Sequence, residues 1–256
     1  MKESLRPAGI TGREKITRAV SRVALAPILR QEIVNPESQG LARAEELHRD
    51  GYGIVVLINH FSRTDPIHAM RRIAGIEEFK DQQVVAPIAK HQAVPGLIAY
   101  SRINGIRLHK VVTAETVKKA IEKGKSGGAE KGQGVPAYLH AVVDILTKGG
   151  IVVIAPQGTR QSTLQYDEEE MQAVRATLIR TRHNPNIAFH FVAFGITGET
   201  DYSNRRKLNI GTQYQIHHGG TFTAGEALEQ AGGLKNADRW AIEELAKIVP
   251  KEYLPK

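Results

Sequence analysis

Residues 54–66 read Ile-Val-Val-Leu-Ile-Asn-His-Phe-Ser-Arg-Thr-Asp-Pro. The first five are apolar and mostly β-branched, without polar alternation, which is typical of a strand buried on both faces of a parallel sheet. Asn59 and His60 follow at the carboxyl end of this strand, where open α/β sheets bind their ligands. Pro66 suits the first turn of a helix, so we predict a strand-to-helix turn that carries His60 and Asp65.

His60 is a candidate general base, because an imidazole can accept a proton near neutral pH. Asp65 follows five positions later and can fold back across a tight turn to orient the ring. The same spacing also arises by chance, with the aspartate as a helix cap and the histidine as an ordinary loop residue. The pair alone does not choose between these interpretations.

The composition limits the classes of protein to which the chain can belong. The chain has 256 residues, 41% of them hydrophobic and 24% charged, which is typical of a globular protein with one large α/β domain. It contains no cysteine, which excludes disulfides, thiolate metal sites and a cysteine nucleophile. The net charge of +8 favours anionic partners such as phosphorylated small molecules, an acidic carrier protein, an anionic membrane or nucleic acid.

The remaining apolar runs and helical periodicities predict an α/β fold with a mostly parallel mixed sheet flanked by helices. We expect residues 1–50 to form an N-terminal helical segment packed on the same domain, and residues 51–256 to form the α/β domain itself. The predicted helices span residues 13–30, 36–49, 66–74, 91–102, 135–148, 165–182, 224–230 and 236–249. The predicted strands span residues 54–58, 83–89, 103–112, 151–155, 187–196 and 214–217.

The predicted helix at residues 13–30 is amphipathic and strongly basic. Such a helix can lie on an anionic membrane surface, or pack on the domain with a solvated basic face. No apolar run reaches the roughly 18 residues of a membrane span, and no signal-peptide pattern is present. We therefore expect a cytoplasmic protein, either free or peripheral at a membrane surface.

A second polar loop follows another apolar run. The predicted strand at residues 151–155 leads into Pro156-Gln157-Gly158-Thr159-Arg160. Because parallel strands present their carboxyl ends at one edge, this loop and the His60 loop should line one pocket. The guanidinium of Arg160 and the backbone N–H groups around Gly158 suit a phosphate.

These two blocks resemble the glycerolipid acyltransferases, the lysophosphatidic acid and glycerol-3-phosphate acyltransferase family. Residues 59–65 match the family's N-H-x-S-x-x-D block, and residues 156–160 match its P-E-G-T-R block with one change. The blocks stand in the family's order, each after an apolar strand. The resemblance covers roughly residues 50–200.

The resemblance implies an O-acyltransferase of phospholipid metabolism. It would move an acyl group from acyl-CoA or acyl carrier protein to a hydroxyl of a lysophospholipid or a glycerol-3-phosphate-like acceptor. His60 would be the general base and Asp65 its orienting acid. No metal and no cofactor are implied beyond the acyl donor. The substrate-binding residues implied are Asn59, Ser62, Arg63, Lys110, Gln157, Gly158, Thr159 and Arg160.

Three departures from the family pattern bear on this hypothesis. Gln157 stands where the family has glutamate, so the position carries no negative charge. The middle block, residues 105–110, is one residue short and ends in Lys110. The late apolar element, residues 191–195, lacks the family's proline.

A non-catalytic protein that binds lipids or anions on the same fold is the alternative, and the change at Gln157 favours it. Nucleic-acid binding is not expected, because no aromatic platform accompanies the basic clusters. A metal site is not expected either, because His190, His217 and His218 lack a recognised ligand spacing.

Overall fold

The structure is a computed structural model. It describes residues 32–35, 39–61, 69, 72–73, 76, 79, 82–90, 93, 95–103, 106–112, 117, 121–122, 134–158, 163–168, 171–197 and 213–254. The predicted helix at residues 13–30 lies outside these ranges.

The described chain forms one seven-stranded sheet in the order β1-β7-β6-β2-β5-β3-β4. Five neighbouring strands, β6 to β4 in that order, run parallel, whereas β7 and β1 run in the opposite direction. The predicted mostly parallel mixed sheet is therefore confirmed. The strands are β1 (Glu32–Asn35), β2 (Gly53–Ile58), β3 (Val84–Ala89), β4 (Ile106–Val111), β5 (Ile151–Ile154), β6 (Ile187–Thr197) and β7 (Gln213–Thr223).

Helices cover both faces of the sheet, because each face carries its own apolar cluster. The helices are α1 (Gln39–Arg49), α2 (Pro95–Ile103), α3 (Val135–Thr147), α4 (Ala173–Thr181), α5 (Ala224–Gln230) and α6 (Ala237–Ala246). Two 3-10 turns, Leu234–Asn236 and Lys251–Tyr253, flank α6. Among the helices within the described ranges, none combines the length and apolar character that crossing a membrane requires.

The alternation of side chains along β2 divides the core into two faces. Val55 and Leu57 pack with α3, α4 and α6 on what we call the first face. Ile54, Val56 and Ile58 pack with α1 on the second face. All six residues of β2 are buried, as the unbroken apolar run predicted, because β2 is a central strand with helices on both sides.

A strand lies at residues 32–35, where the sequence predicted none. Glu32–Asn35 forms the edge strand β1, which pairs in parallel with β7. The sequence Glu-Ile-Val-Asn is too short and too polar at its ends to stand out as a strand, and its pairing is with a segment about 180 residues away. Helix α1 then packs on β7 and β6, so this segment belongs to the same sheet assembly.

Helix α4 begins at Ala173, eight residues after the predicted start at residue 165. Asp238, which is buried in α6, explains why α4 begins at Ala173. Its Oδ1 accepts hydrogen bonds from the N–H groups of Val174, at 2.8 Å, and Arg175, at 3.4 Å. A carboxylate at the first turn of a helix accepts hydrogen bonds from backbone N–H groups and interacts favourably with the helix dipole. The cap comes from another helix, so no local pattern announces it.

Strand β7 continues through Gly219 and Gly220, whereas the sequence predicted a strand of only four residues, 214–217. Helix α1 approaches β7 so closely that a Cβ on Gly40 would lie 1.7 Å from the carbonyl oxygen of Gly219. Glycine at position 40 is therefore required by the packing of α1 on β7. Gly219 and Gly220 lie at a β-bulge, because the pairing of β6 with β7 shifts by one residue between His190 and Val192.

Candidate functional site

Asn59 fixes the carboxyl end of β2 to β6. Its Nδ2 donates to the carbonyl of Phe194 at 2.7 Å, and its Oδ1 accepts from the N–H of Phe194 at 2.6 Å. The side chain thus continues the ladder between the two strands beyond Ile58, and it is fully buried. The His60 loop therefore begins from a rigid point at the carboxyl edge of the sheet.

His60 lies directly against the second predicted loop. Its backbone N–H donates to Oε1 of Gln157 at 3.1 Å, across a separation of 97 residues. Gln157 is fully buried, and His60 is half-buried with its Nδ1 atom inside the protein. The prediction that the loops after β2 and β5 meet at one sheet edge is confirmed by this contact.

The loop after β5 folds back on itself through Gln157 and Gly158. The Nε2 of Gln157 donates to the carbonyl of Thr163 at 3.4 Å. Gly158 has a φ of 66°, and its N–H donates to the carbonyl of Ala155 at 2.9 Å. A left-handed backbone conformation is needed at this position, which accounts for the glycine. The N–H of Gly158, which was predicted to suit a phosphate, is the donor of the hydrogen bond that closes this turn.

Tyr253, in the last 3-10 turn, supports both loops. Its ring stacks on Phe61, with ring centroids 4.3 Å apart and an interplanar angle of 7°. Its carbonyl accepts a hydrogen bond of 2.7 Å from the N–H of Leu164, just beyond the second loop. Tyr253 is buried, and no motif in the C-terminal third of the sequence indicated this role.

The predicted site residues fall into three groups. Asn59, His60, Gln157 and Gly158 come together at one edge. Lys110 is exposed on β4, which β5 and β3 separate from β2, so the backbones of the two strands lie roughly 14 Å apart. The others lie outside the described residues, and their roles stay predictions: Ser62, Arg63, Asp65, Thr159 and Arg160.

A buried polar chain on the second face was not predicted as a site. Nε2 of His190 lies 2.9 Å from Nδ1 of His218, and Nδ1 of His190 lies 2.8 Å from Oγ1 of Thr221. Burial, and next the charge of Arg72, lowers the pKa of His218 to about 4. Burial, and next the neighbouring His218, lowers the pKa of His190 to about 3. Both imidazoles are therefore neutral near pH 7.

A second pair on the first face, the half-buried His109 and the buried Tyr138, joins β4 to α3. The rings of His109 and Tyr138 have centroids 6.1 Å apart. Within the described ranges, neither Nε2 of His109 nor the hydroxyl of Tyr138 makes a hydrogen bond. Burial, and next the charge of Arg107, lowers the pKa of His109, whereas burial raises that of Tyr138. Neither group carries a charge near pH 7.

The arrangement at the sheet edge provides one imidazole on a rigid backbone, next to a second loop held by the same contacts. Such a group can accept and return a proton if a substrate hydroxyl lies within hydrogen-bond reach. In the part of the chain that the structure describes, no three His, Asp or Glu side chains gather as metal ligands do. A comparison with models of protein families finds no match, and a comparison with curated protein sequences finds none either.

Proposed function

We propose that this protein is an O-acyltransferase that moves an acyl group from an acyl thioester to a hydroxyl of a phosphorylated glycerol or lysophospholipid. The observation that carries the proposal is the 3.1 Å hydrogen bond from the N–H of His60 to Gln157. It brings two sequence blocks, each similar to a block of one acyltransferase family, to the same edge of a parallel sheet. That edge is where α/β proteins bind their substrates.

The chemistry needs one base and a positioned acceptor. His60 takes the proton of the acceptor hydroxyl as its oxygen attacks the thioester carbonyl carbon. The tetrahedral intermediate then collapses, the C–S bond breaks, and His60 returns the proton to the leaving thiolate. The products are an ester and a free thiol. A positioned base of this kind contributes typically about 10²–10⁴-fold to the rate.

The other residues have supporting roles in this proposal. Asn59 and Gln157 hold the backbone of the two loops, since their amides bond to Phe194, His60 and Thr163. Asp65 orients the His60 ring, and Arg160 holds the acceptor phosphate. The net charge of +8 favours such anionic substrates and action at an anionic membrane surface.

The test is acceptor-dependent thiol release. The protein is incubated with long-chain acyl-CoA or acyl carrier protein, with and without glycerol-3-phosphate or lysophosphatidic acid, and wild type is compared with His60→Ala. We expect release only with an acceptor present, and a fall of about 10²-fold or more in the variant. Release that is equal in wild type and His60→Ala would refute His60 as the base.

A binding protein on the same fold is the second candidate. The burial of Gln157 favours it, because both ends of this amide bond to protein groups. If no pair of donor and acceptor gives thiol release, but calorimetry detects binding of the same ligands, this candidate replaces the enzyme.

A further inference from the structure

The sheet opens between β3 and β5 on the side of its carboxyl edge. The two strands pair at only two positions, the later of which joins Val85 to Val152. Beyond this point β3 remains paired with β4 as far as Ala89, and β5 remains paired with β2 as far as Ile154. Pro87 accounts for the opening, because it has no N–H to donate to a neighbouring strand and prolines in sheets mark strand edges. A cleft between β3 and β5 therefore begins at Pro87.

This cleft adjoins the His60 loop. Its β5 wall continues into the turn that carries Gln157, whose Oε1 accepts the hydrogen bond from the N–H of His60. Crevices at the carboxyl ends of strands are where open α/β sheets bind their ligands. A ligand that enters the cleft can therefore place one of its ends at His60.

Two polar side chains of the first face flank the β3 wall of the cleft. His109 lies opposite Pro87 in the pairing of β3 with β4, and the rings of His109 and Tyr138 have centroids 6.1 Å apart. Helix α3, which carries Tyr138, begins against β4, since Gly134 packs so closely on the carbonyl oxygen of Lys110 that a Cβ there would clash with it. Long side chains lean towards the N-terminus of their helix, so the Tyr138 ring leans towards the carboxyl edge.

Both polar groups lack a hydrogen bond in the part of the chain that the structure describes. They are the Tyr138 hydroxyl and Nε2 of His109, and both atoms are buried. Only 8% of Tyr138 is exposed, so bulk water does not pair with its hydroxyl. A buried polar group without a partner costs free energy, and two such groups beside one cleft require an explanation. A ligand that supplies the missing hydrogen bonds provides it.

The chemistry of the pair selects the ligand. Both groups are neutral near pH 7, because burial, and next the charge of Arg107, lowers the pKa of His109, and burial raises that of Tyr138. They cannot offset the charge of a buried anion, and a fatty acyl chain would leave them unpaired. The pantetheine arm of an acyl donor is neutral and carries amides. The Tyr138 hydroxyl can donate to an amide carbonyl, and Nε2 of His109 can bond to an amide in either tautomer.

The length of this arm matches the distance between His60 and the polar pair. Strand register puts His109 level with Leu57, which lies three strand spacings away and three residues before His60. With strands about 4.8 Å apart and about 3.3 Å per residue, the backbones of His60 and His109 are roughly 17 Å apart. An extended arm of about 13 bonds reaches roughly 15 Å from sulfur to phosphorus, and the two side chains shorten the gap. With the thioester at His60, the outer amide, which is the one farther from the sulfur, comes within reach of Tyr138 and His109.

We propose that the cleft between β3 and β5 binds the phosphopantetheine arm of the acyl donor, and that Tyr138 and His109 hydrogen-bond its outer amide. The inference rests on the proposed function, which supplies the acyl thioester. It adds how the donor is recognised, and it assigns this recognition to two residues outside both sequence blocks. Coenzyme A and acyl carrier protein share the arm, so the experiments include both.

Calorimetry of the full chain with coenzyme A tests the site without any acyl transfer. Tyr138→Phe removes the hydrogen bond to the arm and keeps the shape of the side chain, and we expect the affinity to fall by roughly fivefold to a hundredfold. His109→Leu should weaken binding to a similar extent. Tyr52→Phe is the matched control, because Tyr52 lies at the amino end of β2 and packs on the second face. This control should bind like wild type.

Stability distinguishes a ligand contact from a structural one. Because the Tyr138 hydroxyl has no partner within the described ranges, its removal leaves no protein group there unpaired. We expect Tyr138→Phe to unfold in urea at a midpoint no lower than that of wild type. A lower midpoint would mean that the hydroxyl is bonded within the protein, and it would overturn the inference.

Competition separates the two sources of the arm. Holo acyl carrier protein carries the arm, whereas the apo form lacks it. Displacement of coenzyme A by the holo form alone would identify the carrier protein as a donor, and displacement by neither form would leave coenzyme A as the source. Equal displacement by both forms would show a contact with the surface of the carrier, which contradicts a site for the arm.

A truncated donor identifies the part of the arm that Tyr138 contacts. Acyl N-acetylcysteamine keeps the thioester and the inner amide but lacks the outer amide. Tyr138→Phe should lower kcat/KM for acyl-CoA by the same factor as the affinity, and leave kcat/KM for the truncated donor within twofold of wild type. An equal fall with both donors would show that Tyr138 acts through the fold and not through the arm.

Three binding results also overturn the inference: no binding of coenzyme A or holo carrier protein by wild type, an affinity of Tyr138→Phe within twofold of wild type, or an equal loss in Tyr52→Phe. Binding through Tyr138 without any acyl transfer would refute the proposed function alone. Acyl transfer with an unaltered donor KM in Tyr138→Phe would refute the site for the arm alone.

Discussion

Two buried amides hold the candidate site together at the level of single residues. Asn59 bonds to the backbone of Phe194 through both of its polar atoms, and Gln157 bonds to the backbone of His60 and Thr163. Each amide satisfies backbone groups at points where the sheet ladder has ended. A buried backbone N–H or C=O that loses its partner costs about 1–3 kcal/mol, so these side chains also stabilise the fold.

Replacing Gln157 by leucine should weaken both the fold and the site. The N–H of His60 and the carbonyl of Thr163 would lose a buried partner, and we expect the free energy of unfolding to fall by about 1–3 kcal/mol for each group left unpaired. Urea unfolding measures this change. Thiol release should fall as well, because the His60 loop loses one of its fixed points.

Gln157→Glu is the informative comparison. A carboxylate keeps an oxygen acceptor for the N–H of His60 but places a second acceptor opposite the carbonyl of Thr163. We expect lower stability together with higher turnover of glycerol phosphate acceptors, since glutamate stands here in the family that the blocks resemble. Unchanged or lower turnover would indicate that Gln157 is adapted to a different acceptor.

At the level of elements, the last 3-10 turn supports the two loops that carry the site. Tyr253 stacks on Phe61 after β2, and its carbonyl bonds to Leu164 after the second loop. The C-terminal segment therefore acts on the geometry at His60 without lying in either sequence block. A displacement of about 1 Å at a catalytic group can cost roughly 10²-fold in rate, so a support of this kind affects turnover.

Truncation of Tyr253 tests this support. In Tyr253→Ala the stacked ring is lost from a buried site, and we expect the free energy of unfolding to fall by about 3–5 kcal/mol. Turnover of the folded fraction should fall by at least about tenfold. Tyr253→Phe retains the ring on Phe61 and removes only the hydroxyl, so the difference between the Phe and Ala variants isolates the contribution of the stacked ring in both measurements. Equal turnover in the Ala variant would show that the loops do not depend on this turn.

A strand or helix could be predicted from the sequence where residues of that segment alone determine it. The runs at β2, β5 and the first half of β6 have no polar alternation, because helices cover both faces of the sheet there. Local sequence is sufficient in such cases. The start of α4 depends on Asp238, 64 residues further along, and the two glycines of β7 lie at a bulge against which α1 packs closely. Neither signal is local.

The candidate site was predictable to a similar extent. The loops after β2 and β5 were expected to meet, because parallel strands share a carboxyl edge, and His60 and Gln157 confirm the contact. The contribution of Tyr253 needed the folded chain, since a lone tyrosine near a C-terminus has no distinctive pattern. His190 and His218 lie 28 residues apart on antiparallel strands, so only strand register reveals them as a pair.

For the whole molecule, the buried histidines make stability depend on pH. The pKa values of His218, about 4, and His190, about 3, lie below the ordinary value of 6.5. Burial, and next the charges of Arg72 and His217, lower the pKa of His218 and keep it neutral. Between the lowered pKa values and the ordinary value of 6.5, the unfolded chain binds more protons than the folded one. The contribution of these histidines to the free energy of unfolding is therefore fully present above pH 6.5, and it is lost as the pH falls towards 4.

The share of this decrease that comes from His218 corresponds to roughly 3 kcal/mol between pH 6.5 and pH 4. Urea unfolding measured from pH 7.5 to pH 4 checks it. His218→Gln, which removes one of the titrating groups, should show a flatter profile than wild type. Parallel profiles for the two proteins would mean that other groups cause the acid sensitivity.

On the second face, Arg72 donates to His218, His218 is bonded to His190, His190 is bonded to Thr221, and Thr221 donates to the carbonyl of Gly40. This chain of hydrogen bonds has a consequence for proton movement. A proton wire works by reversing its donors and acceptors, and every member must be able to play both parts. Here a guanidinium, which cannot accept, stands at one terminus, and a peptide carbonyl, which has no proton to donate, stands at the other. The two imidazoles therefore cannot reverse their hydrogen bonds as a proton wire must, and each keeps one fixed donor and one fixed acceptor.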